Sequence, residues 1–317
     1  MASYEKTSYD IWKGRTSDKK LYLHEKVRCI DLKKEELTRN QNIGFSILGY
    51  ACEEGVKRNQ GRIGTATAPD IIRKMMGSLS NHFKNDVDII DIGNINCVDG
   101  DLEKTQSFTS DKIYQILEKE YFNIVLGGGH DLGYAHYNGI KKHLPTATIG
   151  IINLDAHFDL RVPNGKGNSG TPFYQIAKEN DHFKYLCLGI QEEANNRILF
   201  ETARELDVNF IKNTEFTMKH TDHIDKTLIN FINTVDYVYL SIDLDGFSSA
   251  YAPGVSAPSP FGFSPSIALH TIEKICNSNK LISADIVELN PAYDVDNCTA
   301  RLAARLIYYI MKYISTL

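Results

Sequence analysis

The sequence predicts an α/β fold: a mainly parallel sheet between helical layers, built as one domain. Three observations carry this. Short apolar, β-branched runs recur with the length of buried strands. Segments of helical spacing separate them. No internal repeat, low-complexity tract or linker divides the 317 residues. Ionisable residues follow several of the runs at once, which is where open α/β sheets form their ligand crevices.

Composition narrows the function. An apolar fraction of 42% and a charged fraction of 24% are ordinary for a soluble globular chain. A net charge of −5 with mixed signs argues against nucleic-acid binding. The N-terminal stretch carries no targeting signal, and no apolar run approaches the roughly eighteen residues of a membrane span. Cys29, Cys52, Cys97, Cys187, Cys276 and Cys298 show no zinc or redox spacing and read as reduced thiols of a cytoplasmic protein.

Residues 1–41, rich in Lys, Glu, Asp and Thr, read as an N-terminal arm on the domain surface, with a helix over 31–39. The run 43–50 is the first buried strand. The polar, glycine-punctuated loop 53–64 is either a plain connection or a substrate mouth lined by Asn59 and Arg62. Ala68-Pro69-Asp70 opens a helix to Met76, with proline at an early helical position. The run 87–92 is a strand that places Asp86, Asp88 and Asp91 at its ends or edge. Helical spacing covers 110–121, and 122–126 is a strand ending in Gly127-Gly128-Gly129-His130-Asp131. The glycines allow a sharp turn, and without a Lys-Ser/Thr ending they form no phosphate loop. The strand over 147–152 leads into Asn153-Leu154-Asp155-Ala156-His157-Phe158-Asp159-Leu160-Arg161, then a glycine-rich loop over 164–172. Further strands cover 185–190, 236–242 and 281–287, and helices cover 192–205, 222–233 and 299–313. Asp243 and Asp245 follow one of these strands, and Glu288 follows the last.

If the backbone stays extended after 152, Asp155, His157 and Asp159 project to one side. For one such motif alone, a polar loop is the ordinary alternative. Four strand ends, however, deliver His130; Asp155, His157 and Asp159; Asp243 and Asp245; and Glu288 to one rim. Buried together, these carboxylates need cations. They exceed the needs of one divalent ion and suit two, and oxygen-rich ligation favours manganese over zinc or copper. Two such ions can present hydroxide at neutral pH, so hydrolysis is the expected reaction class.

Gly127-Gly128-Gly129-His130-Asp131, Asp155-Ala156-His157-Phe158-Asp159, Ser241-Ile242-Asp243-Leu244-Asp245-Gly246 and Glu288-Leu289-Asn290-Pro291 resemble the ureohydrolase family of arginases, agmatinases and formimidoylglutamases. The resemblance extends from Gly49 to Arg305. It implies an arginase-like three-layer α/β/α sandwich, two Mn2+ per chain, and trimers or hexamers. By motif, His130, Asp155, Asp159 and Asp243 would bind one ion, and Asp155, His157, Asp243 and Asp245 the other, with Asp155 and Asp243 as bridges. Glu288 would match the acid that pairs with a guanidinium or amidinium.

Within the family, Asn59-Gln60-Gly61-Arg62-Ile63-Gly64, the Phe158-Asp159-Leu160-Arg161 ending and Ala252-Pro253-Gly254-Val255-Ser256-Ala257-Pro258 look most like formimidoylglutamase. This implies cleavage of N-formimidoyl-L-glutamate to L-glutamate and formamide, in histidine degradation, by a metal-bridging hydroxide. Arg161 would then clamp a substrate carboxylate, against the plainer alternative of an internal or surface salt bridge. Asn168 and Ser169 would add hydrogen bonds. Ser169 stands where arginases and agmatinases carry a histidine, so Asp159 or a metal-bound group is left to protonate the leaving nitrogen. The competing readings are a sister activity of agmatinase or guanidinobutyrase type and a catalytically silent binding relative.

Overall fold

The computed structural model describes residues 2–39, 41 and 43–316, so Met1 and Asn40 of the expected arm lie outside the described residues. Among these, ten strands form one sheet. They are β1 (Ala2–Glu5), β2 (Arg28–Cys29), β3 (Ile43–Ala51), β4 (Val87–Cys97), β5 (Phe122–Leu126), β6 (Ile149–Leu154), β7 (Lys184–Ile190), β8 (Asn209–Lys212), β9 (Tyr237–Asp243) and β10 (Leu281–Val287). Their order is β1-β4-β3-β5-β10-β9-β6-β7-β8, with β2 beside β4. Only the β1–β4 pair is antiparallel among the described pairs.

The continuous apolar runs are explained by burial on both faces. Successive side chains alternate between two cores. Phe45, Ile47, Ile152 and Leu154 join the core under α2 (Ala68–Gly77), α7 (Thr221–Asn233), α8 (Pro265–Cys276) and α9 (Cys298–Ser315). Leu48, Tyr50, Ile149 and Ile151 join the other, under α3 (Leu102–Leu117), α4 (Leu132–His143), α5 (Pro172–Glu179) and α6 (Arg197–Glu205). The result is the three-layer α/β/α sandwich. A further short helix, α1 (Glu54–Arg58), lies within the loop after β3.

The structure corrects several expectations. No helix occupies 31–39; the chain turns there, and the Asp31 carboxylate accepts from the Lys33 amide at 3.0 Å, a local bond that competes with helix formation. Helix α3 starts at Leu102, capped by Asp101, two turns before the apolar periodicity becomes visible. Its first turns bury Thr105, Gln106 and Thr109, polar residues that mask the pattern. Helix α4 was not anticipated because two glycines interrupt it. At Gly139 a Cβ would come within 2.7 Å of Ile113, so the glycine is the price of close α3–α4 packing.

Asp91 is not at a strand end. β4 continues to Cys97, leaving Asp91 in mid-strand and fully buried. The Arg73 guanidinium, also fully buried, donates to both its oxygens at 2.8 and 3.0 Å. Trp12 Nε1 and the Thr7 hydroxyl reach the same carboxylate at 2.6 and 3.0 Å. The N-terminal segment is therefore fastened to the sheet by one buried charge. Truncating one partner of such a pair leaves the other uncompensated. Arg73→Met should lower unfolding free energy by about 3 kcal/mol, read as a shift in the urea midpoint at unchanged slope. A midpoint equal to the parent's would show that Trp12 and Thr7 suffice.

Candidate metal centre

Strands β5, β10, β9 and β6 are neighbours, so their carboxyl ends deliver His130, Glu288, Asp243 with Asp245, and Asp155 to one place. The turn after β5 is held by main chain. Gly128 N–H donates to Tyr50 C=O at 2.8 Å and Gly129 N–H to Cys52 C=O at 3.1 Å. A Cβ on Gly128 would sit 1.9 Å from the Cys52 oxygen, so only glycine fits.

After β6 the backbone is not extended as expected. It bends, and Asp159 adopts a left-handed conformation with φ +50°. This bend makes the three side chains converge. Asp155 Oδ1 accepts from the His157 amide at 2.7 Å, and Asp243 Oδ1 from the Asp245 amide at 2.8 Å. The same local turn thus orients the leading aspartate at both strand ends.

Two donor groups result. In the first, His130 Nδ1 lies 3.3 Å from Asp155 Oδ2, 3.0 Å from Asp159 Oδ2 and 2.9 Å from Asp243 Oδ2. In the second, His157 Nδ1 lies 3.5 Å from Asp155 Oδ1 and 3.3 Å from Asp245 Oδ1. Asp155 therefore turns one oxygen to each group. Asp243, expected as a second bridge, turns Oδ2 to the first group, while its Oδ1 accepts from the Asp245 amide just as Asp155 Oδ1 accepts from that of His157.

A buried chain sets which face of the His130 ring looks into the cluster. Its Nε2 is 3.0 Å from Ser241 Oγ, and that hydroxyl donates to Asp285 Oδ1 at 2.6 Å. With the Ser241 proton committed to Asp285, Nε2–H donates to Ser241 and Nδ1 faces the carboxylates. Asp285 is completed by the Tyr239 hydroxyl and by His136 Nδ1 at 2.7 Å.

The electrostatics are those of a site built for cations. Burial would lower His130 and His157, but the surrounding carboxylates hold both imidazoles well above their usual range. Burial would raise Asp155, yet the two histidines beside it bring it below the carboxylate range. Asp243 and Asp245 are pushed up, chiefly by burial. Protons thus stand in for missing positive charge. The buried His130 Nδ1 and Asp245 Oδ1 have no hydrogen-bond partner. Such a donor set fits two divalent ions of manganese type.

All of these groups but the deeper Asp155 line a cavity of about 280 Å³, shared with Glu288, Asn59, Arg161 and Ser169. Glu288 sits at φ +66°, its carboxylate accepting from the His130 amide at 2.8 Å. Burial and then Asp245 push its pKa up to about 8. Arg161 Nη1 donates to Asn59 Oδ1 at 2.7 Å, and Asn59 Nδ2 donates to Ser169 Oγ at 3.0 Å. Two expected substrate contacts are not brought together with these. Arg62 does not line the cavity; its guanidinium lies over the Tyr293 ring, 4.7 Å from the centroid. Asn168 is spent within its own loop, accepting from the Gly170 amide at 2.9 Å. Gln60 and Ser256 do line the cavity and were given no role in the sequence reading. Ser256 accepts from the Arg62 amide at 2.7 Å, a tie across 194 residues that no local pattern announces.

A profile described as the arginase family matches residues 43–312. The chain is 38% identical to a formimidoylglutamase of Clostridium tetani, over 99% of this chain and 97% of that protein. It is 39% identical to one of Chromobacterium violaceum, over 88% of this chain and 91% of that one. Among solved structures, formimidoylglutamase from Bacillus subtilis superposes with a TM-score of 0.84 at 20% identity, covering 96% and 94% of the two chains. A Trypanosoma cruzi formiminoglutamase variant with Mn2+2 superposes with a TM-score of 0.78 at 25% identity, covering 88% and 95%.

Because Asp155 serves both groups, Asp155→Asn should reduce bound Mn2+ at both, whereas Asp245→Asn should spare the first. Metal stoichiometry after gel filtration reads the difference; equal losses would contradict the bridging position. Metal must also displace protons from imidazoles whose pKa is raised, so affinity should fall as pH is lowered. Calorimetry in buffers of different ionisation enthalpy should record proton release on Mn2+ binding. A heat independent of buffer would refute that account of the charge.

Proposed function

The chain belongs to the arginase family, and from that premise we propose that it is a formimidoylglutamase, a dimanganese hydrolase that converts N-formimidoyl-L-glutamate to L-glutamate and formamide in histidine degradation. The observation that carries the substrate choice is Arg161. Among the described cavity-lining residues it is the one permanent cation. It disfavours a cationic tail such as agmatine's and suits a substrate with two carboxylates.

Asn59 sharpens this reading. Arginine can only donate, so the Asn59 oxygen faces Arg161 and its NH2 faces Ser169. A Ser169 hydroxyl that accepts from Asn59 keeps its own proton for another acceptor. Arg161 and Ser169 thus both offer donors to an anion, which gives the serine a use where family members carry histidine.

His130, Asp155, Asp159 and Asp243 would hold one Mn2+ and Asp155, His157, Asp243 and Asp245 the other, supplying an activated water at neutral pH and polarising the substrate. Glu288 pairs with the formimidoyl amidinium and orients its carbon. Asp159 relays a proton to the departing glutamate nitrogen. All the ligand positions are filled, which disfavours a catalytically silent relative.

We also take residues 1–317 as one ureohydrolase-type domain with 1–41 as its arm, working in the cytoplasm as a homo-oligomer. The free state of all six cysteines agrees with a reducing compartment. Among the described residues no helix is long and apolar enough to cross a membrane.

With manganese-loaded enzyme, formamide and glutamate should appear from formimidoylglutamate, and no urea from arginine, agmatine or guanidinobutyrate. Urea from any of these would move the chain to a sister activity. Asn59→Asp should neutralise Arg161 and turn the Ser169 proton inward. It should lower kcat/KM roughly ten- to a hundredfold, mainly through KM, with metal content unchanged. A wild-type KM would remove the anion clamp.

A further inference from the structure

Outside the cavity, two cysteines meet at the ends of neighbouring strands. β3 and β4 run in step through Gly49↔Asn94, Tyr50↔Ile95 and Ala51↔Asn96, and the next residues are Cys52 and Cys97. Neighbouring strands lie about 4.7–4.9 Å apart, inside the roughly 4.4–6.8 Å Cα separation that a disulfide bridges. The two thiols interact, each perturbing the other's ionisation. Cys52 is fully buried, while Cys97 is partly exposed.

We propose that Cys52 and Cys97 form a reversible oxidation site, closing to a disulfide under peroxide and loosening the adjacent turn that carries His130. The chemistry balances with one peroxide. The Cys97 sulfur attacks hydrogen peroxide, giving a sulfenic acid and water. The Cys52 sulfur then displaces hydroxide from it, the S–S bond forms, and the proton lost by Cys52 completes a second water. Cys97 is the more exposed of the two, and its interaction with Cys52 holds its thiol down to about 7, which together favour it as the first sulfur to react.

Coupling to the cavity runs through main chain. Bonding draws the sulfurs together to about 2.05 Å, and the buried partner must move. The Cys52 carbonyl accepts from Gly129 N–H at 3.1 Å and stands against Gly128 so closely that no Cβ would fit. Displacement of residue 52 is therefore passed to the glycines before His130 without slack. The next residues build α1, whose Gly55 carbonyl accepts from Ser169 N–H at 3.1 Å.

The test uses the manganese-loaded full chain with the exposed Cys298 replaced, Cys298→Ser, so that surface oxidation does not interfere. One equivalent of hydrogen peroxide should remove two titratable thiols and yield a peptide pair joined between Cys52 and Cys97, seen by mass spectrometry. Turnover should fall on the order of tenfold, the scale of a small misplacement of a ligand, and dithiothreitol should restore it. Cys97→Ser should keep full activity and resist the loss, with Cys52 unmodified. A joined pair with unchanged turnover would overturn the proposal. So would Cys97 passing to sulfinic acid while Cys52 stays free. Cys52→Ser, which leaves Cys97 without a partner, should convert the reversible loss into stable oxidation of Cys97; a loss still reversed by dithiothreitol, with a disulfide to another cysteine, would also overturn it.

Discussion

Negative charge gathered in a place that excludes water organises this protein. Asp155, Asp243, Asp245 and Glu288 are each at most 5% exposed, and they meet at the carboxyl ends of adjacent strands. No arrangement of apolar packing makes that tolerable; only positive charge does. In the chain alone, two imidazoles carry it as protons. The turn of glycines, the bend after β6 and the Ser241–Asp285 chain all serve to aim donor atoms at the points where that charge must sit.

The same rule operates at a second location with a different solution. Asp91 in β4 is as deeply buried as the metal-cluster acids, but a guanidinium answers it. The two cases show how a buried carboxylate becomes structural or functional. Where the partner is covalently part of the fold, the acid fastens segments together. Where the partners are other acids and imidazoles that can give up their protons, the place is left for an ion to fill.

Much of this was legible in the sequence. The β5, β6, β9 and β10 runs and the acids that end them follow from burial on both faces and from the polar residues that interrupt it. Asp155 and His157 could be found that way, and family motifs singled out Glu288. Other features had no local sign. Asp91 looked like a strand-edge residue because the polar Asn94 and Asn96 hid the continuation of β4. Helix α4 was hidden by glycines whose reason is contact with α3. Arg62 was grouped with Asn59 by proximity in sequence, yet one turn separates a side chain inside the cavity from one lying over Tyr293. The role of Asn59 depends on Arg161 and Ser169, more than a hundred residues away. Such partnerships exist only in the folded chain.

Asp159 and Glu288 share a feature unrelated to charge: both are L-residues with left-handed backbone, at φ +50° and +66°. Each such residue costs roughly 1–2 kcal/mol relative to glycine. The fold is therefore less stable than its topology allows, and part of that deficit, shared with eight other described non-glycine residues of positive φ, lies at the two residues assigned to the reaction. Selection for heat resistance alone would favour glycine at both positions, yielding a sturdier sandwich with no chemistry. Acids at these positions set durability against turnover in the backbone itself.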